Sequence, residues 1–255
     1  MDMNLYGDYH THTQYSHGIG SVMANAHVAK AKGLRAVAIT DHGFRHLLYN
    51  MKRSEMGRLR KDADEAEKET GVRVLVGVES NLIGSDGSVD IKEKDIENLD
   101  IVLCGFHKMA VPRRFSDWWS YARVNIDDAF GRSSRRMLER NTNIYLRALD
   151  RYPIDVITHI NYGITADVRR VAEKCAEVGT YIELNGKRIN FSREEFLSML
   201  ETPVKFIVNS DAHSPDRVGD VSVAEKFLKG IDVPPERIVN IGAEAPIFRS
   251  RKHEN

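Results

Sequence analysis

The sequence predicts an α/β fold in which parallel strands are joined by crossover helices. Three observations carry that expectation. Short β-branched or apolar runs recur, each followed by a turn and a longer amphipathic stretch. The 255 residues are the size of a single α/β barrel. No fixed-period repeat and no Pro- or Ser-rich linker asks for a domain boundary. The expectation is therefore one domain over residues 1–255, ending in a polar tail from about 246.

Seven strands are expected: Leu5 to Tyr9, Arg35 to Thr40, Val72 to Val78, Ile101 to Phe106, Ile154 to Thr158, Thr180 to Leu184 and Val204 to Ser210. Between them, Ser21 to Lys32 opens on a Ser cap and stops at Gly33, Ser54 to Thr70 stops at Gly71, and Thr165 to Val178 stops at Gly179. Further helices are expected from about Ser133 to Asp150, Ser192 to Leu200 and Asp216 to Lys229. The run IGSDGSV, residues 83–89, carries a Gly-rich turn signal and reads as a hairpin excursion after the third strand.

Composition narrows the classes. With 42% hydrophobic and 29% charged residues, the chain is not collagen-like, coiled-coil or wholly disordered. Thirty-seven Lys plus Arg balance 37 Asp plus Glu, which withholds the basic footprint that a long nucleic acid would need. Cys104 and Cys175 lie in apolar segments without paired spacing and read as buried free thiols. No stretch approaches the ~18 apolar residues of a membrane span, and the acidic start MDMNLYGDYH carries no export signal, so no membrane partner and a cytoplasmic location are expected.

The histidines decide the reading of function. Of ten, seven fall at or just beyond the end of an expected strand, where a parallel barrel gathers its active-site loops. Strand one delivers His10 and His12, with His17 just after; strand two Asp41 and His42; strand three Glu79; strand four His107; strand five His159; strand six Glu183 and Asn185; strand seven Asp211 and His213. In an H-x-H pair at a strand end, residues i and i+2 point to one side and can chelate a single ion. Imidazole with carboxylate suits Zn, Mn or Fe. Nine candidate ligands are too many for one tetrahedral ion, so two or three metals bridged by a carboxylate such as Glu79 are expected.

The segments DYHTHTQYSHG, AVAITDHG, GVESN, GFHK, ITHINY, IELN and NSDAHSPDRVG, in that order over nearly the whole chain, resemble the PHP (polymerase and histidinol phosphatase) family of metal-dependent phosphoesterases. TDHG, GFH, SDAH and the late PPERIVNI are closest to its stand-alone phosphatase branch. The resemblance implies a distorted (β/α)7 TIM-like barrel with a trinuclear site at the C-terminal rim of the strands. It also implies one metal on His10, His12, Glu79 and Asp211, a second on Glu79, His107 and His159, and a third on His17, His42 and His213. Asp41, Glu79 and Asp211 are then the candidate catalytic carboxylates, Asp41 standing beside a ligand histidine.

The expected reaction is hydrolysis of phosphate monoesters of small molecules by a metal-activated water, with two to three divalent ions, Zn foremost and Mn or Fe as alternatives. Lys108, Arg113, Asn185, Arg188 and Arg217 are candidates to bind the phosphate, with Arg114 and Lys187 beside them. His27, His46 and His253 read as surface residues. The loop Lys108 to Arg132 is long, aromatic and basic; its Trp118, Trp119 and Tyr121 either cover the mouth or pack on the outer helices. Competing readings are a histidinol-phosphate phosphatase, a nucleotide or nucleic-acid phosphodiesterase or exonuclease, and a metal-dependent binding module without turnover. Glu79 on strand three and the final Asp-Ala-His disfavour an amidohydrolase-type site. Oligomeric state is not readable.

Overall fold

The computed structural model describes residues 3–113, 117 and 134–249. Seven parallel strands run in sequence order: β1 (Gly7–Thr11), β2 (Ala36–Ile39), β3 (Arg73–Asn81), β4 (Ile101–Gly105), β5 (Val156–Ile157), β6 (Tyr181–Asn185) and β7 (Phe206–Asn209). Each neighbouring pair is parallel. Helices α1 (Val22–Ala31), α2 (Met56–Thr70), α3 (Glu93–Ile96), α4 (Arg135–Arg151), α5 (Val168–Val178), α6 (Arg193–Leu200) and α7 (Ser222–Leu228) fall between or after them. The architecture is a nearly closed, distorted (β/α)7 barrel.

Local chemistry sets the helix ends. Ser21 accepts from Ala24 N at 3.1 Å and Asp167 from Arg170 N at 3.2 Å, while Ser192 and Glu195 form a reciprocal capping box. Gly71 and Gly179 end α2 and α5 at φ of 72° and 78°, which a side chain would resist. The stretch expected as one helix from Asp216 to Lys229 instead begins as a single 3-10 turn at Pro215–Arg217, breaks at Gly219 (φ 72°), and becomes helical only at Ser222. Ile83 N bonds Ser88 O at 2.8 Å and Leu82 bridges Val89 antiparallel, so residues 83–89 do turn back on themselves.

Strand alternation separates two apolar layers. Val37, Ile39, Val74, Val76, Val102, Cys104, Ile157, Phe206 and Val208 face the helices. Ala36, Ala38, Leu75, Ile101, Leu103, Val156 and Ile207 fill the barrel, joined by Tyr9 and by Phe248 near the C-terminus. Phe248 meets Tyr9 edge-on at 5.2 Å, and Arg249 donates to Ile154 O and Thr180 Oγ1. Phe248 and Arg249 thus anchor the described chain at this point, the aromatic ring stoppering the barrel floor. Both cysteines are buried free thiols.

Closure between β1 and β7 combines side-chain bonds with a short backbone bridge. Tyr9 N donates to Asn209 Oδ1 (3.0 Å), Ser210 N to Asp8 Oδ1 (3.1 Å), and His12 N to Ala212 O (2.8 Å). Lower down, Asn240 accepts from Val208 N (2.9 Å) and donates to Gly7 O (3.0 Å) and Val208 O (2.6 Å), standing in for a missing stretch of strand. Asn240→Ala leaves these buried groups unpaired, and we expect a loss of about 2–3 kcal/mol. In thermal denaturation of the purified variant that appears as a fall of the midpoint by roughly 4–12 °C, with bound metal per chain unchanged.

Candidate metal centre

The strand ends converge on one buried cluster. A register irregularity between Asp8 and Thr11 lets Tyr9 reach the barrel floor while His10 turns toward β6. His10 and His12 meet with their Nε2 atoms 3.1 Å apart. The loop that follows folds back tightly: a Cβ on Gly18 would stand 2.6 Å from His12 backbone, so glycine there allows the return that brings His17 beside His42 and His213 (ring centroids 4.8 and 4.3 Å). Gly105 serves His159 in the same way, since a Cβ would meet its ring at 2.7 Å. His159 and Asp211 hold φ of 27° and 54°, an uncommon backbone conformation that clusters at working sites.

Glu79 is the hub. Its Oε1 lies 2.7 Å from His159 Nε2 and 3.4 Å from both His10 Nε2 and His107 Nε2. Its Oε2 lies 2.9 Å from His42 Nδ1 and 3.6 Å from His12 Nε2. Asp211 Oδ1 stands 3.5 Å from His12 Nε2, 3.8 Å from His10 Nε2 and 3.3 Å from His213 Nδ1. Three groups have ligand atoms close enough to share an ion: His10, His12 and Asp211; His42, Glu79 and His107; His12, His42 and His213. His17 joins the last group through ring contacts, whereas the resemblance gives it a ligand's role.

Behind the hub sits Glu183, fully buried. Its Oε1 accepts from His10 Nδ1 (2.7 Å) and Asn209 Nδ2 (3.1 Å), its Oε2 from His159 N (2.9 Å) and Asn185 Nδ2 (2.9 Å). By accepting from His10 Nδ1 it fixes the ring with Nε2 facing the cluster.

Burial and charge pull the groups apart. Burial disfavours the ionised carboxyls of Glu79 and Asp211, yet the histidines around them hold both well below the usual range. Burial likewise opposes protonation of His10, but Glu183, Glu79 and Asp211 hold it well above its ordinary value. Burial, reinforced by neighbouring histidines, draws His42 down to about 3 and His17 and His46 to about 4, although nearby Glu79 opposes the fall at each. His12 is pushed well below its usual value by burial and by His42.

The donor set fits divalent cations. Ligands about 2.0–2.2 Å from one ion lie about 3.0–3.6 Å from each other, the spacing seen around Glu79 and Asp211. Among the described residues, every ion-pair partner of Glu79, Glu183 and Asp211 is a histidine, so no Lys or Arg neutralises the three carboxylates. Glu79 Oε2 and His42 Nδ1 face each other at 2.9 Å, both buried and without hydrogen-bond geometry, an arrangement that costs energy unless a cation stands between them.

The cluster floors a cavity of about 290 Å³ lined by His17, His42, His46, Tyr49, Glu79, His107, Lys108, Met109, His159, Tyr162, Lys187, Arg188, Asp211 and His213. Lys108 and Arg188 thus reach the cavity, and Arg188 lies 4.9 Å over the Tyr162 ring. Arg113 donates to Ser88 Oγ and Arg217 pairs with Asp220, both away from the cavity because closer partners hold them. Asn185 sits behind it, accepting from Lys187 N and Arg188 N and donating to Asp211 Oδ2. Asp41 faces the loop instead: Thr13 N and Oγ1 and Ser16 Oγ occupy its carboxylate, and burial raises it to about 6. His46, expected on the surface, is 8% exposed and lines the cavity, because its loop pairs with the one carrying His107. His27 is exposed and bonded to Glu69. Arg114, Trp118, Trp119, Tyr121, His253 and most of the Lys108 to Arg132 loop lie outside the described residues. Tyr49 and Tyr162 escaped sequence reasoning, although each follows a strand-end histidine on a rim loop.

A parallel barrel with histidines and carboxylates gathered at the C-terminal ends of its strands defines a metal-dependent hydrolase. Residues 8–187 match the PHP domain. The chain belongs to that family and is a metal-dependent phosphoesterase. It is 30% identical over 259 residues to a protein named probable phosphatase from Caldanaerobacter subterraneus subsp. tengcongensis, covering 96% of this chain and 90% of that one. A probable phosphatase of Shewanella piezotolerans is 27% identical over 273 residues, covering 99% and 97%. Among solved structures, histidinol phosphate phosphatase from Lactococcus lactis subsp. lactis, complexed with zinc, L-histidinol and phosphate, shares the fold at a TM-score of 0.55 and 14% identity, covering 89% of this chain and 94% of that one. No helix among the described residues is long and apolar enough to cross a membrane.

All four partners of Glu183 are donors, so an amide in its place must aim its NH2 at two of them whichever way it turns. Glu183→Gln is expected to weaken zinc binding about 10- to 100-fold in a competition titration against a chromophoric chelator, while far-UV circular dichroism stays that of the wild type.

Proposed function

We propose that the chain hydrolyses phosphate monoesters of small molecules, using two or three divalent ions held by His10, His12, His17, His42, Glu79, His107, His159, Asp211 and His213. The observation that carries this reading is the position of Glu79, within 3.6 Å of five imidazole nitrogens from four strand ends and their loops. That is the arrangement expected of a bridging carboxylate. Zinc is the first choice, manganese or iron the alternatives. Bound there, such ions supply Lewis-acid polarisation of the phosphoryl oxygens and a water acidic enough to act as nucleophile near neutral pH.

The chain's own groups orient and neutralise. Asn185 accepts from the backbone N–H groups of Lys187 (2.8 Å) and Arg188 (3.1 Å) and so sets the turn that brings both cations to the cavity. Lys187 Nζ stands 3.4 Å from His213 Nδ1, and the Tyr162 ring supports the Arg188 guanidinium. Two cations suit a dianionic monoester better than a monoanionic diester. A cavity of about 290 Å³ accommodates a small ester, and a formal net charge of zero supplies little attraction for a long nucleic acid. The relative solved with L-histidinol and phosphate makes histidinol phosphate one of the esters to try first.

The metal-replete protein is expected to hydrolyse p-nitrophenyl phosphate in preference to bis(p-nitrophenyl) phosphate, to stop on chelation, and to recover with zinc or manganese. A preference for the diester contradicts the monoester reading. His10→Ala or Asp211→Ala should remove turnover from a folded protein, and Arg188→Ala should raise KM about 10-fold with a smaller change in kcat.

A further inference from the structure

We propose that His46 is a substrate-binding residue whose Nε2–H donates a hydrogen bond to an anionic oxygen of the ester or phosphate in the cavity; this deepens the phosphatase reading and rests on it.

The loop that carries His46 is fixed at both levels. Its backbone bridges Ala110, with Leu47 N donating to Met109 O (3.1 Å) and Val111 N to Arg45 O (2.7 Å), so the loops after β2 and β4 form one unit beside His107. The ring is stacked on Tyr49 (5.1 Å, 17°) and His42 (5.9 Å, 17°) and stands edge-on to His107 (6.2 Å, 86°). Two backbone N–H groups, those of Leu48 (3.3 Å) and Tyr49 (3.1 Å), point at Nδ1. A nitrogen approached by two donors presents its lone pair to them, so the ring proton sits on Nε2. This separates His46 from the nine proposed metal ligands. One of its nitrogens is spent on the loop and the other holds a hydrogen, which leaves no lone pair for an ion.

What remains is a neutral donor in the cavity wall. His46 is 8% exposed, it lines the cavity with Glu79, His107 and Arg188, and its side-chain hydrogen bonds among the described residues run to Nδ1. In a barrel of strand order β1 to β7, the loop after β2 lies across from the loop after β6, which carries Lys187 and Arg188. An anion in the cavity thus meets Lys187 and Arg188 on one side, and on the other the fixed N–H of His46 with Lys108 on the neighbouring loop. The fixed orientation makes it a donor pre-set toward an oxyanion, with no rotamer freedom to lose on binding.

Two substitutions separate this role from that of holding the loop. His46→Asn keeps an oxygen where Nδ1 accepts from the loop and deletes the Nε2 donor; His46→Gln places an amide near Nε2. In calorimetric titration of the zinc-loaded proteins with inorganic phosphate, His46→Asn is expected to bind about 10- to 100-fold more weakly than wild type, with equal zinc per chain, and His46→Gln to recover part of that loss. Unchanged phosphate affinity in His46→Asn overturns the proposal. So does an equal loss in both variants accompanied by loss of zinc, which makes the residue purely structural. A wild type that neither cleaves p-nitrophenyl phosphate nor binds phosphate overturns the proposed function, and this inference with it.

Discussion

The structure depends on holding imidazole nitrogens and carboxylate oxygens face to face, in a buried place, with their lone pairs converging. Glu79 is 1% exposed and is surrounded by His10, His12, His42, His107 and His159. Hydrogen bonds do not satisfy that arrangement, since Glu79 Oε2 and the His42 Nδ1 it faces are both buried without one. Cations between the groups do satisfy it. Several local features follow from the need to keep the donors in place: β3 extends to Asn81 and carries Glu79 to the centre, Gly18 and Gly105 let chain and ring approach, and His159 and Asp211 adopt uncommon backbone angles.

Barrel closure and metal site are one problem. The β1–β7 seam is held by Asp8, Asn209 and Asn240 side chains, and Asn209 serves both tasks: its Oδ1 accepts from Tyr9 N while its Nδ2 donates to Glu183 Oε1. Glu183 in turn fixes the His10 ring and the His159 backbone. Strand β1 is thereby clamped to β7 at the level where its two histidines enter the cluster. The floor below is closed by Phe248 against Tyr9, which leaves the opposite rim as the open end.

Much of this was readable from residues alone, for a physical reason. A parallel strand is a hydrophobic run ending at a turn, so a polar group just after such a run marks the rim, and DYHTHT, TDHG, GVES, GFHK, THIN and NSDAH state that pattern openly. Boundaries were less legible. β1 runs from Gly7 to Thr11, two residues later than expected, because pairing with β2 rather than apolarity defines it. The partners of the ligands left weaker signals. Glu183 reads as one more strand-end acid until its four donors are seen, and Asp41 as a ligand's neighbour until Thr13 and Ser16 are seen to claim it. His46 and Phe248 sit in loop and tail, where no periodicity announces burial; tertiary pairing alone puts the first in the cavity and the second in the barrel.

The cavity above the cluster mixes two chemistries: cations from the loops after β4 and β6, Lys108, Lys187 and Arg188, and aromatic and apolar groups, Tyr49, Met109 and Tyr162, around them. On the proposed function, such a site suits an anion at the metals with a less polar wall for the rest of the molecule. All of it presupposes ions at Glu79. The most direct test is metal content by plasma emission on purified protein reconstituted with zinc and freed of excess. Two to three equivalents per chain are expected, falling when Glu79 is replaced by Gln; a reconstituted, folded wild type that retains no metal contradicts a role for Glu79 in holding ions.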